Sequence, residues 1–293
     1  MNTSRLAVIM TSHNRREKTL GCLNELFNQN YETKLNVDVY LVDDGSVDGT
    51  SEAIKKKYPD VNILIGDGTL YWNRGMNKAF AKAIEGDYDY YLWLNDDTYL
   101  FKNGINNLVE TQNQLSRRGV PHSIIVGSTQ DVDTKCYTYG GVKKEHLFKP
   151  LSLRNIQPSD EPIRCDTANG NCVLIPREVV KKVGNIDIAF RHMWGDHDYG
   201  LRASRLGCSV WIAPGYVGNC STNSVEATWE NVTLPIKERV ERLRSIKGIH
   251  PRDYMIYVRR HAGIMWMLYW IWPYVKIIFT SLQYRLTGKM KTN

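Results

Sequence analysis

Short apolar runs alternate with helical patterns along the first two thirds of the chain. Residues 6–10 are apolar and give way to Thr11-Ser12-His13-Asn14-Arg15, after which Leu20, Leu23, Leu26 and Phe27 recur at helical spacing. A second run, 37–42, ends in Asp43-Asp44-Gly45-Ser46, and Asp48 or Thr50 is placed to cap a short helix through Lys57. A third run, 61–65, ends in Gly66-Asp67-Gly68, and residues 73–85 read as a helix. Residues 90–94 form a fourth run, rich in β-formers, that stops at Asn95-Asp96-Asp97-Thr98. A helix over 103–118 and a strand over 123–129 follow.

The second half is less regular. Residues 137–142 predict a strand bent at Gly140-Gly141, and the polar stretch 143–162 predicts a mobile loop. Asn169-Gly170-Asn171 precedes a strand over 172–175; Pro176 opens a helix through Val183, and Gly184 closes it. A helix then runs from near Trp194 to about Leu206, and 210–213 reads as the last strand.

This alternation predicts an α/β fold with a mainly parallel central sheet, flanking helices and right-handed crossovers. Four strands then end in polar loops at one edge, the place where open α/β sheets bind ligands. No G-x-G-x-x-G follows the first strand and no G-x-x-x-x-G-K-[ST] occurs, which excludes a dinucleotide-binding Rossmann domain and a P-loop NTPase. Asp96 and Asp97 side by side need a reason, since like charges repel and desolvation is costly. A divalent cation holding a diphosphate supplies one; a solvated turn is the plainer alternative. Asp196 and Asp198 fall in the first turn of a helix, where anions are favoured. They read either as caps or as a general base on the floor of a site, with Trp194 as a stacking wall or as core.

Composition refines this. The 293 residues suit one large domain, or one domain plus an appendage. Six scattered cysteines without a C-x-x-C pair suit a reducing cytosol, and the short first apolar run reads as a strand rather than a signal peptide. The net charge of +7 is uneven: from Lys237 onward there are 12 Lys+Arg and 3 Asp+Glu. The basic character belongs to the tail, so a nucleic-acid partner is not expected and a membrane-facing tail is.

The pieces TSHNR, LVDDGSVDGT, GDGTLYWNRGMNKA, LWLNDDT, GNCVLIPREVVKKVGNID and WGDHDYGLRASRLG, in this order, resemble the family-2 glycosyltransferases. The nearest-looking members are rhamnosyl- and galactofuranosyltransferases of bacterial surface polysaccharides. The resemblance covers residues 6–220 and implies a GT-A fold and an inverting, metal-dependent transfer from a UDP-, dTDP- or GDP-sugar to a saccharide or lipid-linked saccharide. It places Thr11, His13, Arg15 and Asp43 by the base and ribose, and Asp67 and Gly68 in the nucleotide pocket. Asn77 and Trp72 support the adjoining loop. Asn95-Asp96-Asp97 stands for the family's D-x-D, with Asp97 as ligand of Mn or Mg. Asp196 is implied as the catalytic base, Gly195 replacing the Glu of the family's E-D pair. Gly170, Asn171, Trp194 and Asp198 are implied at the acceptor. The family's His after the last strand is missing: Asn219-Cys220 occupies that region, leaving Asn, Cys or water, or the nearby His192 and His197, as substitutes.

Residues 1–225 are expected to form the catalytic domain, nucleotide-binding to about 130 and acceptor-binding beyond it, and 226–293 a basic, aromatic-rich helical tail. Residues 262–279 are apolar except at Pro273 and Lys276, which suits a pair of interfacial helices better than a transmembrane span. An oligomer interface is the alternative. The expectation is a cytoplasmic enzyme, peripheral on the membrane; the rival reading is a catalytically silent nucleotide-binding assembly module.

Overall fold

β1 (Ser4–Ser12) sits inside the sheet, with Leu6, Ala7, Val8, Ile9 and Met10 all fully buried. A strand covered on both faces has no polar side, hence the unbroken apolar run. It pairs in parallel with β2 (Leu35–Asp43) and β4 (Tyr90–Leu94), and β3 (Asn62–Ile65) pairs in parallel with β2. The computed structural model describes residues 3–30, 35–146, 149–222 and 228–287.

Helices cover both faces. Leu6, Val8 and Met10 pack with residues of α1 (Arg16–Phe27), α2 (Thr50–Lys57) and α4 (Gly104–Arg117). Ala7 and Ile9 pack with α3 (Tyr71–Ile84), α5 (Arg177–Val183) and α6 (Gly195–Arg205) on the other face. The alternation of side chains along β1 divides the two cores. β6 (Ser123–Gln130) and β13 (Ser209–Asn219) are also parallel, while β12 (Cys172–Pro176) lies antiparallel between β4 and β6. The sheet is thus mainly parallel, with β12 joining its halves. β5 (Tyr99–Leu100) pairs with the end of β13, β7 (Tyr137–Tyr139) with β6, and β10 (Ile163–Cys165) with the start of β13.

Three expectations are corrected. The stretch 143–162 is not a mobile loop throughout: β8 (Gly141–His146) and β9 (Lys149–Asn155) pair antiparallel, joined by β11 (Thr167–Ala168) in a small second sheet. Lys143, Lys144 and Glu145 are exposed, so polarity hid a strand. The last strand does not stop at Ala213; it continues past Pro214-Gly215 with register shifts and reaches Asn219. The tail folds as α7 (Ile236–Arg244), α8 (Pro251–His261), a 3-10 turn (Gly263–Met265) and one long helix, α9 (Trp266–Thr287), that runs through Pro273 rather than breaking into a pair.

Candidate active site

Backbone hydrogen bonds knit the loops at the carboxyl edge. Asp44 is buried; its Oδ1 accepts the N–H of Gly68 at 2.9 Å and its Oδ2 that of Tyr71 at 2.9 Å. Tyr71 needs this anchor, because its φ of 56° is left-handed. Asn14 Nδ2 donates to Nε2 of His13 at 3.1 Å, so His13 Nδ1 carries the proton and donates to the carbonyl of Asp44 at 2.6 Å. Asp43 is buried and accepts from the Ser46 N–H at 3.0 Å and from the Ser51 hydroxyl. Asp67 is exposed, and hydrogen bonds from Thr69 hold its carboxyl below the ordinary value. Thr11 lies against Gly75 of α3. Asn77, expected at the donor, instead spends its amide on the Ile186 carbonyl at 2.6 Å, tying α3 to the turn after α5.

The acidic loop after β4 is held on three sides. Trp72 Nε1 donates to Asn95 Oδ1 at 2.7 Å, and the Asn95 N–H donates to the carbonyl of Asn171 at 3.0 Å. Arg15 Nη1 donates to Asp96 Oδ1 at 2.9 Å and to Asp97 Oδ2 at 2.8 Å. Arg15, implied by the resemblance to lie by the base, is turned onto the two carboxylates. Burial raises the Asp96 carboxyl above its ordinary value, against the pull of Arg15. Lys18 Nζ is 4.0 Å from Asp97. The Cys220 thiol donates to Asp97 Oδ1 at 3.7 Å and accepts from Asn171 Nδ2 at 3.4 Å. Burial, and then the charge of Asp97, push this thiol up to about 12.

These donors decide how a cation fits. Mn and Mg prefer oxygen ligands, and a protonated thiol is a poor one. Among the described residues no three His, Cys, Asp or Glu side chains gather as a metal cluster. Asp96 Oδ2 is buried with no hydrogen-bond partner among the described residues, while the Asp97 side chain is 20% exposed. Asp97, partly exposed and oxygen-bearing, has the donor chemistry that such a cation takes.

Asp196 lies in the first turn of α6, half-buried. Its Oδ2 accepts the Gly170 N–H at 2.9 Å and its Oδ1 the His197 N–H at 2.8 Å. A Cβ on Gly170 would lie 2.5 Å from the Trp72 ring and 3.3 Å from the Asp196 Cβ, so one indole packs between the two acidic segments. Gly195, implied by the resemblance to replace the family's Glu, leaves no room for a side chain: a Cβ there would meet Asn73 Oδ1 at 1.6 Å. Asn73 is fully buried and donates to the carbonyls of Asp187 and Phe190.

Two acceptor assignments change. Asp198 is fully buried and paired with Arg202 at 2.7 Å, Arg260 at 3.1 Å and His261 at 2.9 Å, so it is not open to a sugar. Burial alone would raise its carboxyl, but bonds from His261 and Arg202 and the charges of Arg202 and Arg260 hold it below the ordinary value. Trp194, at a left-handed φ of 79°, stacks on Tyr257 with ring centroids 4.8 Å apart. One face of that indole is therefore committed to α8. Gly170 and Asn171, implied at the acceptor, bond to these acidic segments: the N–H of the first goes to Asp196, and the second bonds Asn95 and Cys220. The α8 residues Tyr257, Arg260 and His261, which brace α6, carry no motif and sit beyond the region of resemblance.

The profile of the "Glycosyl transferase family 2" family matches residues 7–184. The "N-acetylglucosaminyl-diphospho-decaprenol L-rhamnosyltransferase" of Mycobacterium tuberculosis is 26% identical over 208 residues, which are 62% of this chain and 64% of that protein. The matched region thus spans just under two thirds of that relative's length. Among solved structures, the mannosyltransferase PcManGT from Pyrobaculum calidifontis, in complex with GDP-Man and Mn2+, superposes with a TM-score of 0.55 at 16% identity, covering 99% of this chain and 77% of that one. S. aureus TarS 1-349 in complex with UDP gives 0.53 at 11% identity, covering 87% and 70%. With the family profile over more than half of its length and this sheet beneath the acidic loops, the chain belongs to glycosyl transferase family 2 and has a GT-A-type fold.

Proposed function

We propose that the chain transfers a sugar, with inversion, from a nucleoside-diphosphate donor to a hydroxyl of a lipid-linked saccharide. The observation that carries this reading is the placement of Trp72, which donates to Asn95 on one side and lies against Gly170, the hydrogen-bond partner of Asp196, on the other. It sets a candidate base beside a candidate diphosphate site.

In this reading the diphosphate lies near Asp97, with Arg15 and Lys18 as the cationic side chains there. Asp97 would hold Mn or Mg, which when bound supplies positive charge to the leaving diphosphate. Asp196 accepts the proton of the acceptor hydroxyl as its oxygen bonds to the anomeric carbon. The bond from that carbon to the phosphate oxygen breaks, and its electron pair leaves with the nucleoside diphosphate. The N–H groups of Gly170 and His197 hold the Asp196 carboxylate in one orientation. Thr11, His13, Asp43, Asp67 and Gly68 form the nucleotide side of the site. The names of the neighbours support a UDP or GDP donor, and that of the relative supports rhamnose as the sugar and an acceptor on a lipid diphosphate; dTDP remains a third donor in this reading, and a lipid-linked acceptor would place the reaction at a membrane surface.

Calorimetry against a panel of UDP-, dTDP- and GDP-sugars, with Mn²⁺ and then with chelator, tests this. One nucleotide is expected to bind, more tightly with metal. A folded chain that binds no donor overturns the proposal.

A further inference from the structure

α9 carries an apolar face that no other described part of the chain covers. Ile264, just before it, and Leu268, Ile271, Val275, Ile278 and Leu282 recur every four and three residues and are between 43% and 97% exposed. Trp272 and Phe279 beside them are 59% and 68% exposed. The opposite side is anchored: Pro273, Ile277 and Ser281 are buried, and the buried Arg239 of α7 donates to the Ile277 carbonyl at 3.2 Å and to the Ser281 hydroxyl. The helix is fixed to the fold with its apolar side turned outward.

Two features identify the occupant. At 100° per residue these exposed apolar positions cover an arc of about 120°, because Trp272 and Phe279 widen the face beyond the two-in-seven seam of a coiled coil. The charges suit an anionic surface. α9 contains no Asp or Glu; Lys276 is paired with Glu230 at 2.9 Å, and Arg285 is exposed near the far end. At the near end the exposed Arg259 guanidinium lies 5.5 Å from the Trp266 ring centroid. Cations thus flank both ends of an apolar, aromatic-bearing face about 33 Å long. That is the pattern of a helix lying in the plane of a bilayer interface. Among the described residues no helix is long and apolar enough to cross a membrane.

We infer that α9 docks the protein on the surface of an anionic membrane. Ile271, Val275, Ile278 and their neighbours enter the acyl boundary, and Arg259 and Arg285 meet headgroup phosphates. Docking of this kind needs neither donor nor metal, so it stands or falls apart from the proposed reaction.

Vesicle flotation with the full chain tests the inference. Phosphatidylcholine vesicles are compared with vesicles in which about one third of the lipid is phosphatidylglycerol. The wild type is expected to float with the anionic vesicles, less with the neutral ones, and less as salt rises. The double variant Ile271→Glu with Ile278→Glu is expected to bind at least about tenfold more weakly at an unchanged unfolding temperature, because both sites are exposed. Wild type that stays at the bottom of the gradient overturns the inference, as does a folded double variant that floats equally well. A wild-type dimer in light scattering, dissolved by the two substitutions and indifferent to vesicles, overturns it in favour of a second copy on this face.

Discussion

The indole N–H of Trp72 donates to the side-chain oxygen of Asn95 at 2.7 Å, and this bond ties the start of α3 to the acidic loop after β4. Trp72→Phe keeps an aromatic ring, smaller than the indole, and removes the donor. Stability is expected to fall by about 1 kcal/mol, the net value of one such bond. Turnover is expected to fall roughly tenfold as the loop loses its support, which is about 1.4 kcal/mol of barrier. Denaturant unfolding and steady-state kinetics measure both.

Gly170 is where the Trp72 ring, the Asp196 side chain and a backbone N–H meet. In Gly170→Ala the new methyl lies 2.5 Å from the ring unless something moves. Overpacking of this kind costs about 1–3 kcal/mol. The displacement falls on Asp196, so kcat is expected to drop more than donor affinity. Equal losses in both would place the damage at the nucleotide instead.

Asp198 serves the fold. Asp198→Asn removes the buried counter-charge of Arg202, while Arg260 keeps Asp187 at 2.7 Å; breaking a buried pair costs about 3–5 kcal/mol. The unfolding midpoint is expected to fall accordingly, with the acceptor KM of the protein that remains folded unchanged.

His261 gives stability a pH dependence. Arg205 donates to its Nδ1 at 2.8 Å, so the proton sits on Nε2 and is donated to Asp198. Burial lowers the imidazole below its ordinary 6.5, and Asp198 opposes this only in part. Below that pH the unfolded chain binds more protons than the folded one, so stability is intact above 6.5 and declines as pH falls toward the folded value. His192 and His250 are shifted the same way, both mainly by burial. Asp198, held below 3.8, keeps its contribution until the solution is more acid still. The denaturation midpoint is expected to drop between about pH 7 and pH 5. His261→Gln is expected to flatten that slope, and a midpoint that rises on acidification contradicts the assignment.

Strands such as β1 and β4 were legible because burial on both faces leaves an uninterrupted apolar run, and their polar ends marked the site's edge. β8 and β9 were not, since one thin sheet with exposed Lys and Glu side chains carries no such run. Asp97 and Asp196 could be named from motifs. The direction of Arg15 could not, because a motif fixes a side chain's place in the chain and not the partner it turns toward. Asp198 was misread for the same reason: its partners Arg260 and His261 lie more than sixty residues away on α8. Nothing in local spacing links a first-turn aspartate to a basic pair at that distance.

The central claim is that Asp196 removes the acceptor proton. Asn at this position keeps the size of the side chain and one oxygen for the Gly170 N–H; its NH2 replaces the oxygen that accepts the His197 N–H, so it loses that acceptor together with the basicity. The direct measurement compares turnover and donor affinity of Asp196→Asn with wild type, at a pH where both are folded. The account predicts turnover lower by about 10²–10⁴-fold with donor Kd unchanged. Turnover within a few fold of wild type would show that another group takes the proton.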